Sequence, residues 1–215
     1  MLTYKSDFPN QVQQLNVSIS QHYYLLKDET IRWQEKSLDI NWKNFRKSNK
    51  RHLVTFIIRD HYSSCFYAEL HSIDLLPSIE EFLYNAWTEK EDYEFCGIGH
   101  TVIVPKTTQV QFPQLLHFFG RTSKVNIQTP TTGFSSAVRS IREWERNIRY
   151  VQSFIPGIDI LEGFQKDIDY INRHMNQGFG FDQDTNLAKW ALNKPQLIMP
   201  GSRGTFYSYF KPVKL

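Results

Sequence analysis

Cysteine is scarce in this chain, with only Cys65 and Cys96 among 215 residues. The two have no metal-type spacing, and so sparse a pair makes no disulfide scaffold, so a reducing cytoplasm is the expected location. Long apolar runs are missing as well. No stretch approaches the length of a membrane span, the N-terminus MLTYKSDFPNQ has no apolar signal core, and no membrane role is expected. The Asn16-Val17-Ser18 sequon then carries no glycosylation meaning. Charge of one sign is lacking too: 25 Lys and Arg against 22 Asp and Glu give a net charge of +3. That balance permits a polyanionic partner without demanding one. The 7 histidines form no HExxH pair, and no GxSxG, Walker A or CxxC motif is present. Ordinary zinc, hydrolase and NTPase chemistry therefore has no foothold, and no small-molecule cofactor is expected. Asp182, Asp184 and Asn186 open like a calcium loop, but Leu187 and Asn193 stand where Gly and Glu are needed. A helix N-cap before NLAKWAL is the better reading.

What is present begins with His52 to Leu70, HLVTFIIRDHYSSCFYAEL. Leu53–Arg59 is dense in Val, Ile, Thr and Phe, and Cys65–Leu70 alternates apolar with small or charged residues after a polar turn, which predicts an antiparallel hairpin. Asp60 ends the first run. It either closes the turn by accepting backbone N–H groups or serves as a catalytic carboxylate. Residues 1–32 are polar and weakly patterned and read as an arm. From Trp33 to Phe45 the pattern predicts a strand around Leu38–Trp42, with Lys47–Arg51 as a basic turn. After the hairpin, Asp74–Trp87 predicts a helix, Gly97–Pro105 a buried strand, Pro113–Phe119 a helix, Val125–Thr129 a short strand, and Phe134–Phe154 a long helix. The run GTFYSYFKPVKL predicts a terminal strand packed on the core.

Basic residues gather in two places. Lys43, Arg46, Lys47, Lys50 and Arg51 make a candidate phosphate-facing segment. On the long helix, Arg139, Arg142, Arg146 and Arg149 span an arc of about 80° opposite the apolar face of Ala137, Ile141, Trp144, Ile148 and Val151. Such a stripe can track a nucleic-acid backbone. It can equally be a solvated face laced by Arg139 with Glu143 and Glu145 with Arg149 at i,i+4 spacing.

The element order, the hairpin ending in RDHYSS and the glycine before the long helix in TTGFSSAVRSIREWERN resemble the catalytic core of retroviral-type integrases and DDE transposases. The segment ILEGFQKDIDYINRHMNQGFGFDQDTNLAKWALN is similar to the helical stretch after that core, where an Asn sits near a helix end; here it looks like Asn172. The resemblance implies an α/β, RNase H-like mixed sheet, three antiparallel strands then parallel ones, flanked by helices. It places the core at 33–155 and a helical C-terminal extension at 156–215. It also implies three carboxylates converging on Mg²⁺ or Mn²⁺. The first, on the opening strand, looks like Asp39. After GIGHTVIVP, where the family has an Asp, stand Val104, Pro105 and Lys106. The third, a Glu in the first turn of the long helix, would fall near Ala137 or Val138. The resemblance thus implies a DNA-binding, mobile-element-derived protein, a homodimer in assembly, whose metal triad is incomplete. Two alternatives are carried: a metal-dependent nuclease or strand-transferase with relocated carboxylates Asp39, Asp60 and Glu143, and a protein-interaction module on the same fold.

Overall fold

The segment read as an arm holds the central strand of the molecule. In the computed structural model, which describes residues 5–91, 93–130, 135–152, 161–177, 185–192 and 197–212, β1 runs from Val12 to Leu25. A strand of the sheet thus lies before residue 33, within the segment expected to be an arm. Leu15, Val17 and Ile19 point to one core layer. Between them stand Asn16 and Ser18, on the opposite face of the pleat.

The sheet order is β4-β3-β1-β5-β6, with β2 (Ile31–Trp33) off this path and paired to β1. β3 (Arg51–Asp60) and β4 (Phe66–Ser72) form the expected hairpin, antiparallel to each other, and β3 runs antiparallel to β1. β5 (Thr101–Ile103) and β6 (Asn126–Gln128) then add in parallel. This is the mixed α/β sheet flanked by helices that the resemblance implied. No strand forms at Leu38–Trp42; that segment is a loop leading into a 3-10 turn at Phe45–Lys47.

β3 explains why its run is apolar throughout. Val54, Phe56 and Ile58 face one layer while Leu53 and Ile57 face the other, so both faces are covered. The first layer is closed by α1 (Ile79–Trp87), α3 (Gln114–Arg121) and α7 (Arg203–Ser208), and the second by α4 (Ser135–Gln152) and α5 (Leu161–Gln177). α1 starts where Ser78 accepts a hydrogen bond from Glu81 N at 3.2 Å, with Glu80 and Glu81 complementing the helix dipole. Its buried Phe82, Leu83, Ala86 and Trp87 fall at helical spacing. The short α2 (Lys106–Gln111) bridges β5 to α3. Asp182 and Asp184 lie outside the described residues; α6 (Asn186–Leu192) is capped by Thr185, whose Oγ1 accepts from Ala188 N at 3.0 Å. Through Ser208 the terminal aromatic run is helical, in α7, where a strand was expected. It still packs on the core, with Phe210 stacked on Phe118 at 4.6 Å between centroids.

One polar network ties the start of β1 to its neighbours. Asp60 is fully buried; Oδ1 accepts Asn10 N at 2.7 Å, and Oδ2 accepts Ser63 N at 2.7 Å and Ser63 Oγ at 2.6 Å. Gln13 Nε2 donates to Asn10 Oδ1 at 2.7 Å and to the Gly97 carbonyl at 3.0 Å, while Gln13 Oε1 accepts Trp87 Nε1 at 2.8 Å. Gly97 sits at φ +84°, where a side chain would be strained.

Candidate functional site

β1 continues past the end of β5. Pairing with β5 stops at Gln14, so the stretch from Asn16 onward borders an open cleft of about 480 Å³. Asn16 and Ser18 line it from β1, Ile40 to Lys43 from the following loop, Pro105 and Thr107 from the β5–α2 junction, and Ile141, Arg142 and Glu145 from α4.

The loop is held by its own turn chemistry. Asn44 Oδ1 accepts Asn41 N at 2.7 Å, Asn44 Nδ2 donates to the Asp39 carbonyl at 2.9 Å, and Lys43 N donates to Asn41 Oδ1 at 2.9 Å. It is fastened to β1 at two points, Leu38 N to the Gln21 carbonyl at 2.8 Å and Trp42 Nε1 to the Val17 carbonyl at 3.2 Å. Lys43 is thereby set on the rim, exposed. A bulge shapes the other end. From Ile19 to Tyr24 β1 advances five residues against two on β3, which turns Tyr23 into the second core layer, and Ser20 Oγ accepts Tyr23 N at 2.9 Å to hold the bend.

Glu145 is the carboxylate at this cleft, only 2% exposed. Its Oε1 accepts Thr55 Oγ1 at 3.1 Å, and Ser20 supplies a second side-chain bond. Burial raises its pKa above the usual carboxylate range, while the Ser20 and Thr55 bonds and the charges of His22 and Arg142 pull it back.

The residues singled out in the sequence fall into separate groups. Lys43 and Arg142 both line the cleft. Arg46 and Lys47 are exposed on the adjoining turn, and Arg146 and Arg149 are exposed further along α4. The Arg139 side chain lies outside the described residues. Arg51 is committed elsewhere, paired with Glu29 and with Asp74 Oδ2 at 2.9 Å. Lys50 stacks 3.9 Å over the Tyr24 ring and donates to Gln34 Oε1 at 2.7 Å. Asp39 is exposed in the loop rather than on a strand. Asp60 and Asp39 belong to opposite ends of β1: Asp60 pairs with Gln13, whereas Leu38 bonds to Gln21. The six regular strand steps from Gln13 to Ile19 alone amount to roughly 20 Å. Glu143 is exposed on α4. The relocated set of Asp39, Asp60 and Glu143 is therefore not brought together.

The divalent-ion centre that the resemblance implies can be tested on the donors present. β1, VQQLNVSISQHYYL, carries no Asp or Glu. The position after β5 holds Pro105 and Lys106, and among the described residues no three His, Cys, Asp or Glu side chains form a group that could hold a metal. Mg²⁺ or Mn²⁺ needs carboxylate oxygens free to coordinate it, and Glu145, buried and bonded to Thr55 and Ser20, stands without a second carboxylate in the cleft lining. The residues do not fit the ion.

A second cavity, of about 330 Å³, lies beside Tyr67, Lys90, Tyr93, Asp169, Asn172 and Arg173. Burial lowers Lys90 to about 8. Its ammonium donates to the carbonyls of Ala86, Thr88 and Phe95, each at 2.9 Å, so its donors serve the loop after α1. No helix among the described residues is long and apolar enough to cross a membrane.

Asn16, Ser18 and Glu145 were not read from the sequence as site residues. The available signal was the alternation of Leu15, Val17 and Ile19 with Asn16, Ser18 and Ser20. No family model matches the chain, and no curated protein is significantly similar to it in sequence. Among solved structures, the HTLV-2 integrase catalytic core domain in complex with magnesium, in its trimeric form, is similar with a TM-score of 0.50 at 10% identity, covering 86% of this chain and 99% of that one. The dimeric form of the same domain gives 0.50 at 9% identity, with the same coverage of 86% and 99%. The likeness establishes the fold: this chain has the mixed α/β architecture of the RNase H-like integrase core.

Proposed function

We propose that this protein is a mobile-element-derived DNA-binding protein that grips the phosphate backbone along the cleft and the exposed face of α4, without cutting it. The observation that carries this reading is that Lys43, from the basic loop, and Arg142, from the helical stripe, line one cleft whose central strand has no carboxylate. Arg46 and Lys47 extend the positive surface on the loop side, and Arg146 and Arg149 extend it along the helix. Guanidinium groups at this spacing suit bidentate phosphate contacts. The integrase-like fold supports DNA as the polyanion, and the dimeric and trimeric forms of the similar viral domain make self-association part of the same proposal.

A salt titration of duplex DNA binding tests it. Affinity should fall as salt rises, with a log–log slope of about −0.9 per phosphate neutralised. Replacing Arg142, Arg146 and Arg149 together by alanine should flatten the slope by up to about 3 units. Affinity indifferent to salt, or unchanged in the triple variant, overturns the reading.

A further inference from the structure

The resemblance implies a divalent ion held by carboxylates, and the cleft here is lined instead by Lys43 and Arg142 with one buried acid. We infer that it seats a phosphodiester directly, the phosphate oxygens taking the place of the ion: Lys43 and Arg142 supply the charge, and Asn16, Ser18 and Thr107 supply neutral hydrogen-bond donors. This rests on the DNA-binding reading and adds where and how one phosphate sits.

Two independent features support it. The first is the sign of the charge. A cation centre gathers anions, whereas this cleft is lined by two permanent cations and one acid. That acid, Glu145, is buried and turned toward Thr55 and Ser20 rather than left open to a ligand. An ammonium and a guanidinium on the walls favour an anion over Mg²⁺ as occupant. The second is the chemistry of the open strand. Among the described residues, β1 has no partner strand on the β5 side between Gln14, where β5 ends, and Tyr23, where β2 begins, and the side chains it turns toward α4 there include an amide and a hydroxyl. Both can donate to a phosphate oxygen. The volume of about 480 Å³ leaves space for a phosphate with its flanking sugar.

The test uses the full chain and a fluorescent DNA duplex at constant ionic strength, in EDTA and in millimolar Mg²⁺. Direct seating predicts that binding in EDTA equals or exceeds binding in Mg²⁺. It predicts that Lys43→Ala, an exposed substitution, weakens binding several-fold in both. Ser18→Asp, at a partly exposed position, should weaken binding about tenfold in EDTA and recover on adding Mg²⁺, since the new carboxylate repels phosphate until an ion bridges them. Thermal unfolding of both variants confirms that they fold. Parent binding that disappears in EDTA and returns with Mg²⁺ overturns direct seating and leaves DNA binding standing. Ser18→Asp that binds like the parent in EDTA also overturns it. Absence of binding at low salt under either condition overturns the DNA reading, and the seating with it.

Discussion

The indole N–H of Trp144 donates to Asn172 Oδ1 at 2.7 Å, and the amide of the same Asn172 donates to the Ala68 carbonyl at 2.7 Å. One buried side chain thus joins α4, α5 and the edge strand β4. One turn later Asn176 repeats the device, its Oδ1 accepting Phe66 N at 3.0 Å and its amide donating to the Phe66 carbonyl at 2.8 Å. A helix here supplies hydrogen bonds that a further strand would otherwise make, which guards the sheet edge against pairing with another chain.

Asn172→Ala should strand the Trp144 N–H and the Ala68 carbonyl in the interior. The expected loss is about 2–4 kcal/mol, because unpaired buried groups cost their full desolvation. Trp144→Phe should cost less alone, and a double-mutant cycle measured by urea unfolding should show coupling of about 1–2 kcal/mol. Additive losses would mean that the bridge is energetically idle.

Asp60→Ala removes the acceptor for the N–H groups of both Asn10 and Ser63. We expect a loss of about 2–4 kcal/mol, or roughly 5–15 °C in Tm for a chain this long. DNA affinity measured well below the lowered Tm should match the parent, since the carboxylate points into the turn. A large affinity loss in the folded variant would return Asp60 to the functional residues.

Glu145 and the pH dependence of stability are linked through burial. Its folded pKa is raised, so the native state holds a proton that the unfolded chain releases at lower pH. Stability is therefore undiminished below the ordinary glutamate pKa and falls as pH rises from there through the raised folded value. Glu145→Gln, which can still accept from Thr55 and Ser20, should flatten this slope and be at least as stable as the parent at neutral pH. Urea unfolding across pH 4 to 8 reads both, and a slope unchanged by the substitution would assign it to other groups.

Arg51→Ala separates structural from functional cations. Its two ion pairs are partly exposed, so the expected cost is under about 1 kcal/mol. DNA affinity should stay within about twofold of the parent, in contrast to Lys43→Ala. A loss as large as that of Lys43→Ala would mean that Arg51 leaves Glu29 and Asp74 to meet phosphate.

Much of the fold was legible because its signals are local. The β3–β4 hairpin, the Ser78-capped α1 and the amphipathic α4 each announce themselves within about twenty residues. β1 was hidden although its period of two is regular. Its second face is Asn16, Ser18 and Ser20, uncharged polar residues that resemble a solvated segment until other elements cover them. Trp33–Phe45 misled for the converse reason. Its alternation reflects Ile40 and Trp42 packing against the first core layer, while Asn41 and Asn44 take over the local backbone bonds and prevent a strand.

The sequence by itself determined the hairpin, the helices α1, α3 and α4 and the two basic segments, because propensity, capping and periodicity act between near neighbours. Tertiary structure alone decided which cations share a cleft and which are spent on ion pairs. It also decided where the polar face of β1 finds its partners. Thr55 meets Glu145 across 90 residues of chain, and Trp144 meets Asn172 across 28. Such contacts have no local signature, since an amide or a hydroxyl tolerates water or an interior equally until the chain delivers something for it to bond.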